Sequence, residues 1–457
     1  MLVMKFGGTS VAEASRFKDV FNIVKHRSTV SGKVPLIVLS AMSGITNELI
    51  DCAKCAQASD HSLAAARLTD IKDRHYEVVE DLIPLSGRDQ LLSALEIDFN
   101  RLSILLQGIT YLGELSKRSL DAISSCGEIL STKIFSAYAI SQKAPAVYVD
   151  ARTIMLTNED YGKAIPNLEE LSARSQSEIA ALMKEGKWII TQGFIGATAN
   201  GVTTTLGRGG SDYSASLIGA AINADEIQIW TDVDGMMTAD PRLVPEAIPV
   251  ANVTFQEAAE LAYFGAKVLH PLTIKPAIEK NIPVRILNTL NPDSAGTLLV
   301  EKTDNTEKIC AIACKKGQTA IFINSARMLM ASGFLAQVFN IFARYETSID
   351  LITTSEVSVS LTIDNLDKLP QIEEELKQLG EVTVLNDLAI IALVGRNFRE
   401  ESGTAHRIFK ALADLNIIMI SFGASNINVS LVLTNQDADR AIKLLHSEFF
   451  SMAAVRS

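Results

Sequence analysis

Lys5, Phe6, Gly7, Gly8, Thr9 and Ser10 set a cation beside paired glycines just where a first strand ends and a helical stretch begins. Glycines lack a Cβ, so backbone N–H groups can close on an anion at a helix amino terminus, with Lys5 as a point charge. The spacing is neither a Walker A loop nor a dinucleotide fingerprint. A second cluster, Gly207-Arg208-Gly209-Gly210-Ser211-Asp212, also opens a helix. Ser211 and Asp212 are expected there as a cap and a dipole-favoured carboxylate, and the Arg208 fork suits bidentate contact with a carboxylate or phosphate. Thr231 and Asp232, in Trp230 to Gly235, end a strand where a nucleotide base or ribose could lie. Lys267, within Phe264 to Pro271, is a lysine beside a glycine, and a lone lysine is ordinarily a solvated surface charge. Two glycine-rich anion sites, two lysines and an acidic residue at a helix start together fit phosphoryl transfer, where catalysis is mainly positioning and charge stabilisation.

Positioning those groups requires a particular order of elements. The first 300 residues alternate β-rich runs with helical stretches, the order that builds a largely parallel sheet between helices. Strands are expected at Leu2 to Phe6, Val34 to Leu39, Ala146 to Val149, Trp188 to Thr191, Glu226 to Thr231 and Val284 to Leu287. Residues 60–120 read as a helical insertion, either a lid or a packing surface. A polar linker spans 301–308, and the remainder, 309–457, repeats itself. The segment from Gly333 matches the one from Gly403 without a gap: Ser332, Gly333, Phe339, Ala343, Ser355, Val359, Ser360 and Leu361 recur as Ser402, Gly403, Phe409, Ala413, Ser425, Val429, Ser430 and Leu431. Each copy reads as a glycine-led helix followed by two strands, giving two α+β modules at about 315–385 and 386–457.

Composition excludes several classes of function. A formal net charge of −11 over 457 residues leaves no basic excess for a nucleic acid or an anionic membrane surface. With 47% hydrophobic and 21% charged residues, the balance is that of a globular protein. No apolar run approaches the roughly 20 residues of a membrane-spanning helix. Leu2 to Phe6 already reads as a strand without a leader pattern, and five cysteines make no disulfide framework, so a cytoplasmic location is expected. Cys52 and Cys55 have C-x-x-C spacing but no completing ligands, and read as small thiols on a helix; no protein metal cage is expected.

Six motifs occur in order: KFGGTSV at Lys5 to Val11, SAMSGITN at Ser40 to Asn47, LGRGGSD at Leu206 to Asp212, TDVDG at Thr231 to Gly235, TADPR at Thr238 to Arg242, and FGAKVLHP at Phe264 to Pro271. Over essentially its whole length the chain resembles the aspartate kinases. The resemblance implies an amino-acid-kinase fold followed by two ACT modules, and transfer of the ATP γ-phosphoryl to the side-chain carboxylate of L-aspartate, the first step toward lysine, threonine and methionine. Thr46, Glu128 and Arg208, with Ser211, are implied to hold aspartate. Glu128 would face its ammonium and Arg208 its α-carboxylate. Lys5, Gly7, Gly8, Thr9, Thr231, Asp232, Met237, Arg242 and Lys267 are implied to hold ATP, with Lys5 and Lys267 spread over the γ-phosphoryl and Asp212 orienting the lysines or the metal. Mg²⁺ would ride mainly on phosphate oxygens and water. The acceptor is already ionised at neutral pH, so no general base is needed. Relatives that this chain resembles often carry Tyr at the position of Met237, whose thioether packs but offers no hydroxyl.

The duplicated half is similar to the lysine-sensitive class. Met328, Gly333, Phe334, Leu335, Ser348, Asp350, Thr354, Ser355 and Glu356 are implied to line a lysine site, with Ala331 replacing a serine usual in that class. The resemblance also implies a monofunctional chain and a homodimer through the ACT modules, or a tetramer. Two other readings stay open at this stage, a catalytically inactive amino-acid sensor and an amino-acid kinase for a different acid.

Overall fold

The structure, a computed structural model, describes residues 1–265, 271–303, 309–329, 332–400 and 402–451. Lys267 and Ala331 lie outside these residues. The chain divides into two compact units, Met1–Met236 with Val268–Thr303, and Met237–Lys267 with Asp304–Ser457. Residues 237–265, which motif order places among the first 300, therefore pack with the second unit.

In the first unit the elements run β1 (Leu2–Phe6), α1 (Ala14–Ser31), β2 (Pro35–Leu39), α2 (Ile45–Gln57), α3 (His61–Leu82), α4 (Leu85–Leu112), α5 (Lys117–Ser124), α6 (Cys126–Ser141), β3 (Ala146–Tyr148), the short α7 (Ala151–Ile154), α8 (Leu168–Arg174) and α9 (Ala180–Lys184). Then follow β4 (Trp188–Gln192), the hairpin β5 (Ile195–Ala197) and β6 (Thr203–Thr205), α10 (Gly210–Ala221) and β7 (Glu226–Thr231). The chain passes through β8 (Asn252–Thr254) and α11 (Phe255–Tyr263) of the second unit and returns as α12 (Lys275–Glu279), β9 (Val284–Asn288) and β10 (Thr297–Val300).

The strands of the first unit are ordered β3-β4-β2-β1-β7-β9-β10, every pair parallel except β9 with β10. Each residue of β1, β2 and β4 is buried, as expected of a parallel sheet covered on both faces. The parallel register brings the carboxyl ends of β1, β2, β4 and β7 to one edge. Backbone bonds hold the following residues there: Gly7 N–H donates to Trp230 O at 3.1 Å, Ser40 N–H to Phe6 O at 3.1 Å and Gly193 N–H to Leu39 O at 2.9 Å.

Helices α3 and α4 account for most of residues 60–120, and they are a packing surface. Leu68, Ile71, Val78 and Val79 on one, and Leu91, Leu95, Phe99, Leu102 and Leu106 on the other, bury at helical spacing in one core with Phe17 and Phe21 of α1 and Phe135 of α6. Among them His75 is fully buried, its Nδ1 2.7 Å from Ile71 O, and burial pushes its pKa down to about 4.

The second unit holds β11 (Ile309–Asn324), α13 (Phe334–Arg344), β12 (Leu351–Thr354), β13 (Ser358–Ile363), α14 (Leu369–Leu376), β14 (Glu381–Gly395), α15 (Thr404–Ala411), β15 (Met419–Ser421), β16 (Asn428–Thr434) and α16 (Asn435–Phe450). They form one antiparallel sheet, β12-β13-β11-β14-β16-β15. The 70-residue repeat is visible in detail: Gly333 and Gly403 cap their helices at φ +88 and +90, and Val359, Leu361, Val429 and Leu431 are all fully buried. The two modules share their long strands. Thr319–Asn324 of β11 pairs with β13, whereas Leu388–Val394 of β14 pairs with β16 and with the first half of β11.

Candidate active site

What the chain does after each of four strand ends makes a single cleft of about 730 Å³. After β1, Gly7 and Gly8 lead straight into a 3-10 turn, and a Cβ on Gly8 would stand 3.0 Å from Ala41 O. Glycine is what lets this loop rest on Ser40 to Gly44, the loop after β2. After β4, Phe194 lines the cleft with φ +70, a strained backbone for an aromatic residue. Its N–H donates to Ser214 Oγ and its carbonyl accepts from Leu206 N–H, both at 2.9 Å. The hairpin then delivers Gly207 to Asp212, and β7 delivers Thr231 and Asp232.

Helix α10 begins at Gly210 with Gly209 as its N-cap at φ +71 and no side-chain cap. Ser211 therefore sits within the first turn and caps nothing, contrary to the sequence expectation, because the left-handed cap position takes a glycine. The uncapped first-turn N–H groups suit an anion. Asp212, in the same turn, forms an ion pair with Lys5: Nζ lies 2.6 Å from Oδ1, with side chains 11% and 16% exposed. Lys5 is the last but one residue of β1, so the sheet itself fixes this cation at the cleft floor.

Glu128 enters from α6. It is buried, its Oε2 has no hydrogen-bond partner, and burial raises its pKa to about 8 against the opposing pull of the Ala41 N–H and the Lys5 charge. A buried carboxylate with a free oxygen calls for a cation. Gly127 beside it admits close packing, since a Cβ there would stand 2.7 Å from Ala41 Cβ. Thr46 is half-buried in the lining, whereas Arg208 is exposed and no described residue pairs with it.

Of the residues expected from sequence, the cleft unites Lys5, Gly7, Gly8, Thr9, Thr46, Glu128, Arg208, Ser211, Asp212, Thr231 and Asp232. Met237 and Arg242 belong to the second unit, where Met237 packs half-buried on the core and exposed Arg242 pairs with Asp240 at 2.6 Å. The cleft also takes in Ser40 to Gly44, Asn47 and Phe194. The first six lie in the SAMSGITN motif but carry no charge to single them out, and nothing local signals Phe194.

In the second unit, Asp350 is held by Tyr263 Oη at 2.6 Å and Lys315 Nζ at 2.7 Å, both on Oδ1, while its Oδ2 is buried and unpartnered. Lys315 also reaches Asp364 at 2.9 Å. Phe334 is buried and Met328 half-buried in the first module's core, Gly333 caps α13, and Leu335, Ser348, Thr354, Ser355 and Glu356 are exposed. Cys52 is buried and Cys55 half-buried, both free. No helix among the described residues is long and apolar enough to cross a membrane.

A parallel sheet whose strand ends hold glycine-built anion cradles around a lysine–aspartate pair defines a phosphotransferase of the amino acid kinase class. The profile of the amino acid kinase family matches residues 1–288, and an ACT domain profile matches 391–449. The lysine-sensitive aspartokinase 3 of Escherichia coli is 38% identical over 464 residues, covering 98% of this chain and 99% of that protein. Aspartokinase 1 of Arabidopsis thaliana, a chloroplastic protein, is 40% identical over 470 residues, 98% of this chain and 80% of its own. Among solved structures, E. coli aspartokinase III with aspartate and ADP superposes with a TM-score of 0.82 at 37% identity, covering 99% of this chain and 100% of that one. The same enzyme with lysine and aspartate gives 0.81 at equal identity and coverage. The chain belongs to the aspartokinases.

Proposed function

We propose that this chain transfers the γ-phosphoryl of ATP to the side-chain carboxylate of L-aspartate, yielding 4-phospho-L-aspartate and ADP. The observation that carries the reading is the cleft's charge pattern: a sheet-anchored lysine beside two glycine cradles, with a carboxylate that keeps one oxygen unpartnered and an unpaired arginine available for the two ends of an amino acid. Glu128 takes the ammonium, Arg208 the α-carboxylate and Thr46 a hydrogen bond, leaving the side-chain carboxylate to attack. Backbone N–H groups at Gly7, Gly8 and the start of α10 cradle phosphate oxygens, and Lys5, steadied by Asp212, offsets the charge on the transferring group. One aspartate oxygen bonds to the γ-phosphorus as the bond to the β–γ bridging oxygen breaks. No proton moves.

The relative crystallised with aspartate and ADP supports ATP as donor. Mg²⁺ supplies charge neutralisation when bound. The described residues contain no group of three or more His, Cys, Asp or Glu side chains that would cage it, and the carboxylates of the cleft are Asp212, engaged by Lys5, exposed Asp232, and Glu128, which this reading assigns to the substrate ammonium. That donor set suits an ion carried on phosphate oxygens and water. Aspartate-dependent ADP release from MgATP is the test. Absence of turnover with aspartate, or faster turnover with glutamate, overturns the assignment.

Feedback by lysine is the second part of the proposal, supported by the lysine-bound relative and by Asp350, whose geometry already accepts an ammonium from Lys315. The exposed side chains of Thr354, Ser355 and Glu356 suit a site shared between two copies of the chain in a homodimer. Lysine should lower the rate, and Asp350→Asn should raise the lysine needed for half-inhibition by on the order of 10-fold or more, the worth of a charged hydrogen bond. Equal sensitivity in the variant would remove Asp350 from the effector site.

A further inference from the structure

Asp121 is buried on α5, 2% exposed, and no described cation pairs with it. An isolated buried carboxylate is costly unless hydrogen bonds saturate it. Here three neutral donors do so. Oδ2 accepts the Gly162 N–H at 3.0 Å and the Thr205 N–H at 2.9 Å, and Oδ1 accepts Thr205 Oγ1 at 2.7 Å. Burial still raises its pKa against those three bonds. The donors come from two separate segments, the loop before α8 and the last residue of β6, which a further bond from Ala164 N–H to Thr205 O ties together at 2.9 Å. Two residues beyond Thr205 stands Gly207 at φ +79, where a Cβ would meet Gly162 O at 3.0 Å. The next residue is Arg208.

On the other side, α5 runs into α6 without losing its hydrogen bonds: Ser125 N–H donates to Asp121 O at 3.0 Å and Ile129 N–H to Ser125 O at 3.3 Å. One stiff helical piece thus carries Asp121 and, two turns on, Glu128. We propose that Asp121 is a positioning residue for the amino-acid substrate: by clamping the segment that leads to Arg208 onto the helix that bears Glu128, it sets the span between the two groups that grip the α-carboxylate and the ammonium. This rests on the assignment of Glu128 and Arg208 to those two ends of aspartate.

The clamp bonds to no residue of the nucleotide cradle, but the segment it holds leads through Arg208 into the start of α10, so its loss should weigh more heavily on aspartate than on ATP. In full-length enzyme, Asp121→Ala should lower kcat/KM for aspartate by on the order of 10²-fold, the cost of a displacement near 1 Å, chiefly through KM, with a much smaller rise in KM for ATP. Asp121→Asn should restore most of the loss, since an amide oxygen can accept both N–H groups while its NH₂ donates to Thr205 Oγ1. Thr205→Val, nearly isosteric, removes one donor and should give a smaller rise in aspartate KM; it decides the matter if Asp121→Ala does not fold. An unchanged aspartate KM in folded Asp121→Ala, or equal shifts in both KM values, overturns the proposal. Arg208→Ala separates the two levels: if it leaves aspartate KM unchanged, the substrate assignment fails first, whereas a raised KM there beside a normal one in Asp121→Ala refutes the clamp alone.

Discussion

Glu128 makes a quantitative demand on how the enzyme binds its acceptor. With a pKa near 8 in the ligand-free cleft, only about 10% of the protein carries the ionised carboxylate at pH 7, about 1% at pH 6 and about half at pH 8. If the ammonium of aspartate needs that charge, its apparent dissociation constant should fall about 50-fold from pH 6 to pH 8, since affinity is reduced by the fraction of competent protein. Binding at pH 7 should expel about 0.9 proton, because the ammonium pulls Glu128 into its ionised form. Calorimetric titration of aspartate in buffers of different ionisation enthalpy reads both quantities. Stability carries the opposite sign. A carboxyl whose folded pKa lies above its ordinary value stabilises the fold fully only below about pH 4.5, and that contribution, on the order of 4 to 5 kcal/mol, is lost as pH rises to 8. Glu128→Gln should therefore bind aspartate weakly without expelling a proton, yet resist urea better than wild type at pH 8 when no ligand is present. A pH-independent affinity for aspartate between pH 6 and 8, or the same proton release in the variant, would refute the reasoning.

Three further outcomes follow from the same geometry. Lys5→Met removes the cation held 2.6 Å from Asp212 and should cost on the order of 10²- to 10³-fold in kcat, the usual effect of deleting one charge-stabilising group; near-normal turnover would exclude Lys5 from the chemistry. Gly193→Ala would place a Cβ 2.6 Å from Ser211 Cβ and 2.7 Å from its Cα, pushing α10 off the cleft, and steady-state kinetics should show lower kcat/KM for both substrates. His75 is held neutral with a pKa near 4, so the unfolded chain gains a proton below pH 6.5 that the fold refuses. Stability should fall by on the order of 3 kcal/mol between pH 6.5 and 4 relative to His75→Leu, measured by urea unfolding; parallel pH profiles for the two proteins would contradict it.

Much of this molecule is legible in one dimension because its determinants are local. The strands at Leu2–Phe6, Pro35–Leu39 and Glu226–Thr231 announce themselves as short apolar-rich runs followed by glycine, serine and aspartate respectively, and the 70-residue repeat survives intact as Gly333 and Gly403, each opening a helix at positive φ. The cleft's charged members, Lys5, Arg208 and Asp212, stand out for the same reason, since a cation or carboxylate among glycines is unusual in its own few residues. Tertiary structure decided what depends on residues far apart. It exchanged the expected Ser211 cap for a left-handed Gly209, brought the uncharged Phe194 into the lining, and joined 309–316 to the second regulatory module through pairing with β14. It also turned two ordinary acids into special ones. Glu128 and Asp121 are seven residues apart on adjoining helices, with nothing in their neighbours to distinguish them, and burial leaves one with an empty oxygen and the other with three donors from a loop and a strand end. Desolvation is a property of everything packed around a group, so no local pattern of residue types could have announced it.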